Sequence, residues 1–183
     1  FDKLVNRLIG WEGEYYPIDN SIWNLAYLYK VSEISIRENS ARVLFRNDFW
    51  AFPRPPFEIE ITHIPTGIEA ILINNHLKCC GGSDNEERRR NAADSLHKYI
   101  STTYPDEPVI ILGDLNDDIS GSTYESNVFW TLVDDPGNFM FTDMDIARGT
   151  VSWWSYPSWP SHLDHICVSN ELFQYIDTTI VNR

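Results

Sequence analysis

The chain has 183 residues, 43% of them hydrophobic and 22% charged. That length suffices for one domain with a packed core, and that composition excludes disorder for most of it. A formal net charge of −13 excludes a protein that coats nucleic acid through bulk attraction, which needs a basic surface; any phosphate substrate must be met by a local cation cluster, a metal ion or both.

No apolar run approaches the roughly 18 residues that a membrane-spanning helix needs. Of the three Cys, Cys79 and Cys80 are neighbours, and a bridge between neighbours is strained. The set provides neither a disulfide framework nor a C-x-x-C pair for zinc.

Taken in order, Phe1 to Ile9 carries apolar residues at 1, 4, 5, 8 and 9, a helical spacing that Gly10 closes. Trp23 to Tyr29 reads as a strand. Glu33–Ile36 and Ala41–Phe45 read as a strand pair turning at Glu38-Asn39-Ser40. Three prolines in Phe52-Pro53-Arg54-Pro55-Pro56 stiffen a loop and hold Arg54 with little backbone freedom. Phe57–Ile64 alternates apolar and polar residues as a half-exposed strand. It forms a hairpin with the more buried Ile68–Leu77 through Pro65-Thr66-Gly67.

Asp84–Thr103 reads as a helix capped by Ser83 or Asp84, with Ala92, Ala93, Leu96 and Ile100 on its apolar face. Within it, Arg88-Arg89-Arg90 reads as solvated surface with i,i+4 pairing, from which one guanidinium could reach a site. Val109–Leu112 is a buried strand, so residues 68–112 form a β-α-β unit. Ser122–Leu132 reads as a helix and 134–161 as a long irregular region with Trp153, Trp154 and Trp159. Such regions are commonly functional; these tryptophans could touch a membrane or stack on bases, though packing on their own domain is the simpler reading. Leu163–Ser169 is the next strand, Asn170–Tyr175 a helical turn, and Asp177–Val181 the start of a last strand. With no repeat or linker, residues 1–183 read as one domain.

The chemistry-bearing stretch is Gly113-Asp114-Leu115-Asn116-Asp117-Asp118. In an extended chain, Asp114 and Asn116 leave the strand end on one side while Leu115 returns to the core. The strand ends of α/β sheets are where reacting groups commonly sit. A carboxylate beside a carboxamide suits a phosphate with a divalent cation. A βα turn whose Asp and Asn cap a helix is the plain alternative. His76 ends the preceding strand, where an imidazole can donate to a phosphate oxygen or shuttle a proton. Lys78 and Arg54 offer local positive charge, and Arg can grip phosphate with two donors. In Ser161-His162-Leu163-Asp164-His165, alternation sends Asp164 and His165 to opposite sides, so one ion cannot use both. Asp164 is the candidate at the strand mouth.

Asn75-His76-Leu77, Gly113-Asp114-Leu115-Asn116-Asp117 and Leu163-Asp164-His165-Ile166 together resemble the endonuclease/exonuclease/phosphatase superfamily. That group includes the DNase I-like nucleases and neutral sphingomyelinases. Arg54 resembles a substrate-phosphate arginine of its DNase-like members. The resemblance implies an α/β (α+β) four-layer sandwich of two mixed, mostly antiparallel sheets flanked by helices. It implies hydrolysis of phosphate esters assisted by Mg²⁺ or Mn²⁺. Asp114 would orient or activate water, and His76 would stabilise charge on phosphorus. Asn116 would hold a phosphate oxygen or, with Asp114, a metal. Asp164 would orient a catalytic His or assist the leaving group.

The chain departs from the family pattern at both ends. No strand bearing the family's metal Glu precedes residue 1, and no Ser-Asp-His follows Asp177. It therefore reads as the middle of such a protein: a phosphodiesterase or nuclease domain expected to be nearly inactive as given, to bind Mg²⁺ weakly and to self-associate through exposed sheet edges. The other readings are a non-catalytic binding module of the same fold and a phospholipid or inositol-phosphate hydrolase.

Overall fold

A computed structural model describes residues 1–16, 25–156 and 160–182. Strands β1 (Trp11–Tyr15) and β2 (Ala26–Lys30) pair antiparallel as a small sheet. The large sheet holds β3 (Ile34–Ile36), β4 (Arg42–Val43), β5 (Phe57–His63), β6 (Ile68–His76), β7 (Val109–Asp114), β8 (Phe139–Phe141) and β9 (Asp164–Ser169). Its order is β3-β5-β6-β7-β9-β8, with β4 also on β5. Only β6 and β7 run parallel, because helix α2 (Ser83–Thr103) supplies the crossover between them, as a parallel pair requires.

The layers follow from the strand alternation. Ile71, Ile73, Val109, Ile111 and Cys167 face one side of the large sheet and pack on Ala92, Ala93, Leu96 and Ile100 of α2. Phe57 and Ile59 face the other side and meet Tyr27 of β2. The Tyr27 hydroxyl donates to the Phe57 carbonyl at 2.8 Å and accepts from the Asn74 N–H at 2.8 Å, pinning the two sheets together. Beyond the small sheet, Phe1, which precedes the short helix α1 (Asp2–Val5), and Val5 within it rest on Gly13, where a Cβ would stand 2.3 Å from the Phe1 ring. The result is the expected α/β arrangement of two sheets flanked by helices.

Several expectations need correction. The helix expected over 1–9 stops at Val5; it covers only a two-stranded sheet, and Leu4 and Ile9 stay exposed. β1 lies where no element was expected, and its mid-strand Gly13 makes room for Phe1. β3 and β4 do not pair with each other. Both lie end to end along β5, because Ser40 Oγ bridges the Arg37 carbonyl and the Glu60 N–H and turns the chain back onto the same edge. The helix expected over 122–132 reduces to α3 (Trp130–Val133). Buried Asn127 donates to the carbonyls of Ile119 and Gly121 and accepts from the Phe129 N–H, an alternative to helical bonding. The region 134–161 contains β8 and helix α4 (Met144–Ala147).

Helix α2 has Gly82, not Ser83 or Asp84, at its N-cap, with φ 103. Residues 177–181 form no strand, and Ile180 is exposed. Trp23, Asn24 and Trp159 lie outside the described residues.

Candidate phosphate site

The register of three adjacent strands sets one row of side chains. His76 of β6 pairs with Asp114 of β7, and Asp114 pairs with Asp164 of β9. All three project from the face opposite α2, since their neighbours Asn75 and His165 are buried on the helix side. His76 Nε2 lies 3.4 Å from Asp114 Oδ2. Asp164 is exposed beside them. Arg54, in its proline-rich loop, approaches the Leu77 carbonyl with Nη1 at 3.5 Å.

Electrostatics tie the four together. Burial pushes the His76 imidazole below its ordinary range and the Arg54 cation adds to this, while Asp114 and Asp164 pull it back. Burial pushes the Asp114 carboxyl up and Asp164 adds to this, against His76, the Asn116 N–H and Arg54. Two carboxyls facing one another across partly buried strand ends are a setting in which an opposite charge is favoured.

The strand end itself is specialised. Gly113 has φ 124, and a Cβ there would lie 2.1 Å from the Asn75 carbonyl oxygen. Only glycine fits so close an approach at that φ. Asn116 departs from the expected extended geometry: β7 ends at Asp114 and Asn116 has φ 59, a left-handed turn that Asn tolerates. Its N–H donates to Asp114 Oδ1 at 3.0 Å and its Nδ2 to the Leu77 carbonyl at 3.2 Å. Asn116 thus joins the group through the turn rather than through alternation.

Three further residues bear on the site, the first from the arginine run that was expected to offer one guanidinium to it. Arg89 is 2% exposed. Its Nη2 lies 2.7 Å from Asp117 Oδ2, and its Nη1 donates to the carbonyls of Lys78 and Cys80 at 2.6 and 3.0 Å. Arg88 holds the Trp50 carbonyl and Arg90 those of Tyr124 and Asn127. The arginine run therefore ties three loops to α2 and is not merely solvated surface. The signal was available, since Arg89 stands three and four residues before Ala92 and Ala93, on the apolar face.

The second contributor is Asp143, which was not foreseen and is buried with His162 and His165. One ligand atom from each lies within 4.8 Å of the others, which raises the question of a metal. The hydrogen bonds answer it. A backbone N–H can only donate, so the bond from Ser155 N to His162 Nδ1 leaves the His162 proton on Nε2, 2.8 Å from Asp143 Oδ2. Ligation through that nitrogen would place Nδ1–H against another N–H. The trio fits a hydrogen-bonded network and does not fit a metal centre.

The third contributor is Ser155, whose Oγ accepts from the N–H groups of Leu163 and Asp164 and sets the start of β9.

Residues 16–179 match the sequence model of the Endonuclease/Exonuclease/phosphatase family. The chain belongs to this family. Its members are hydrolases, among them phosphatases and nucleases, and they generally use divalent metals. No curated protein sequence matches the chain.

Solved structures with the same fold include the human Nocturnin catalytic domain with bound sulfate, at 13% identity and a TM-score of 0.62. A Bacteroides thetaiotaomicron mannosyl-6-phosphatase is similar at 19% identity and 0.64, and D. rerio TDP2 complexed with a single-strand DNA product at 14% and 0.59. Each comparison covers 92% of this chain, which spans 63%, 66% and 65% of those structures respectively. The fold of this endonuclease/exonuclease/phosphatase chain is thus DNase I-like. Among the described residues, no helix is long and apolar enough to cross a membrane.

Proposed function

We propose that the chain is a metal-dependent hydrolase of phosphate esters, a phosphodiesterase or nuclease of the DNase I-like group. The observation that carries this reading is the row His76–Asp114–Asp164 on three neighbouring strands, with Arg54 close enough to bias two of its members. Asp114 is the group to orient a water and take its proton. His76 lies beside it and can donate to a phosphoryl oxygen as charge develops there, and Arg54 can hold a second oxygen. Asp164 assists the leaving group or orients the catalytic His that the family carries near its C-terminus.

Asp114 and Asn116 fit Mg²⁺ or Mn²⁺, since both offer hard oxygens and Asp114 faces the like charge of Asp164. Such an ion supplies neutralisation of charge on the phosphoryl oxygens. Asn116 Nδ2 is engaged by the Leu77 carbonyl, which supports its oxygen as the group offered to an ion.

The test is cleavage of bis-p-nitrophenyl phosphate by this chain with Mg²⁺ and with EDTA. Cleavage that EDTA and Asp114→Asn abolish is expected. Cleavage indifferent to both treatments would overturn the assignment of the site.

A second reading, hydrolysis of a small phosphomonoester, draws on the net charge of −13, which disfavours a long polyanion. A panel of plasmid DNA and sugar phosphates separates the two. Self-association through the outer edges of β3 and β8 completes the proposal. A monodisperse monomer by light scattering would remove that part.

A further inference from the structure

Cys79 and Cys80 follow β6 directly and line an open cavity of about 710 Å³ together with Asn116, Asp117, Trp154 and His162. Their sulfurs lie 2.8 Å apart, and Cys80 holds φ 77, a conformation a non-glycine side chain rarely adopts. Cys80 is exposed and Cys79 half-buried, so both can be reached by a small oxidant. The phosphoesterase chemistry uses neither.

We propose that Cys79 and Cys80 are an oxidation site, closed by peroxide to a vicinal disulfide and reopened by thiols, and that closure loosens the Asp114–Asp118 turn. The Cys79 thiolate attacks one peroxide oxygen and expels the other as water after protonation, leaving a sulfenic acid. The Cys80 sulfur then attacks Cys79 sulfur, expels the hydroxyl as a second water and completes the S–S bond. In sum, two thiols and one peroxide give one disulfide and two waters, with two electrons passing from sulfur to oxygen. Adjacent Cα atoms on a trans peptide are about 3.8 Å apart, below the usual disulfide span of about 4.4–6.8 Å. Such a bridge is strained, easily reduced and of the regulatory kind. The contact with Cys80 lowers the Cys79 thiol below its ordinary range, with Lys78 and Arg54 helping against burial.

The route to the neighbouring turn is Arg89. Its Nη1 grips the carbonyls of Lys78 and Cys80, on either side of Cys79, while its other nitrogens hold Asp117. Closing the bridge turns the peptide between the two cysteines, and the carbonyls flanking that peptide, those of Lys78 and Cys80, are the ones Arg89 holds.

The experiment treats the reduced chain with stoichiometric hydrogen peroxide. A mass loss of two hydrogens per chain is expected, with the free-thiol count falling from three to one and dithiothreitol restoring both. Peptide mapping is expected to place the link at 79–80, and Cys80→Ser to gain oxygen instead of losing hydrogen. Oxygen addition without a link in the parent chain, or a chain-to-chain disulfide, would overturn the site. Hydrogen exchange across 114–118 is expected to quicken in the oxidised form, and unchanged exchange would overturn the coupling. Neither readout uses a substrate, so this inference stands or fails apart from the phosphoesterase reading.

Discussion

Asp143 Oδ2 lies 2.6 Å from His165 Nδ1, and the opposite nitrogen of that ring donates to the Asp117 carbonyl at 2.8 Å. The ring of His165 thereby fastens the loop before α4 to the turn that follows Asp114. Removing the Asp143 carboxylate leaves its buried partners without their acceptor, and an unsatisfied buried polar group costs about 1–3 kcal/mol. Asp143→Ala is expected to lower stability by that order in urea unfolding, with Asp143→Asn intermediate.

The same carboxyl sets an acid limit on the fold. Burial pushes it up, but hydrogen bonds from His162 and His165 outweigh burial and hold it well below its usual range. A depressed folded value means that the unfolded chain binds the proton more readily. Asp143 therefore contributes stability above the unfolded value of about 3.9, and that contribution fades as pH falls from there toward the folded value. Unfolding midpoints measured from pH 6 to about 2.5 are expected to fall steeply at the acid end in the parent chain and more gently in Asp143→Asn.

Arg89 and Asp117 give another expected outcome. Arg89 is buried with three separate acceptors, whereas Asp117 keeps partial access to solvent. Arg89→Lys retains a charge but loses the planar fork that reaches all three. A loss of about 1–3 kcal/mol is expected, with increased protease cutting in the loops at 78–82 and 116–120. Intact loops in a stable Arg89→Lys chain would count against Arg89 as their organiser.

Much of this was legible in the sequence, and the rest failed for identifiable reasons. The hairpin β5–β6 and the β6-α2-β7 crossover were readable because long periodic segments overrule local detail. His76, Asp114 and Asp164 were readable because each ends a strand whose alternation fixes its side. Asn116 was misplaced because alternation was carried one turn past the end of β7. Asp143 was missed because its partners are 19 and 22 residues away, a distance no local pattern spans. Glu58 was taken for the solvent side of an alternating strand. It is fully buried under α2, where it accepts from Arg42, Tyr99 and Tyr104. Only the crossing of α2 over β5 makes that side an interior.

Gly113 tests the backbone at the site. An added methyl would meet the Asn75 oxygen at 2.1 Å, at a φ that disfavours any side chain. Strain of this kind costs about 1–3 kcal/mol before the clash is counted. Gly113→Ala is expected to lower the urea midpoint and to shift the β6–β7 amide resonances around Asn75. A substitution without effect on either would show that the strand ends have room to part.

Asp114 is where stability and chemistry pull in opposite directions. Its carboxyl is pushed up by burial and by Asp164, so holding it ionised at neutral pH disfavours the folded state. Asp114→Asn removes that repulsion while keeping the acceptor for the Asn116 N–H at 3.0 Å. The variant is therefore expected to melt at a higher temperature than the parent chain in EDTA. A divalent cation offers the parent the same relief by a different route, since an ion that binds only the folded state raises its melting temperature with concentration. Millimolar Mg²⁺ is expected to raise the melting temperature of the parent and to leave Asp114→Asn unmoved, with a smaller response in Asn116→Ala. Equal responses to Mg²⁺ in parent and Asp114→Asn would place the cation elsewhere and remove the metal from this row.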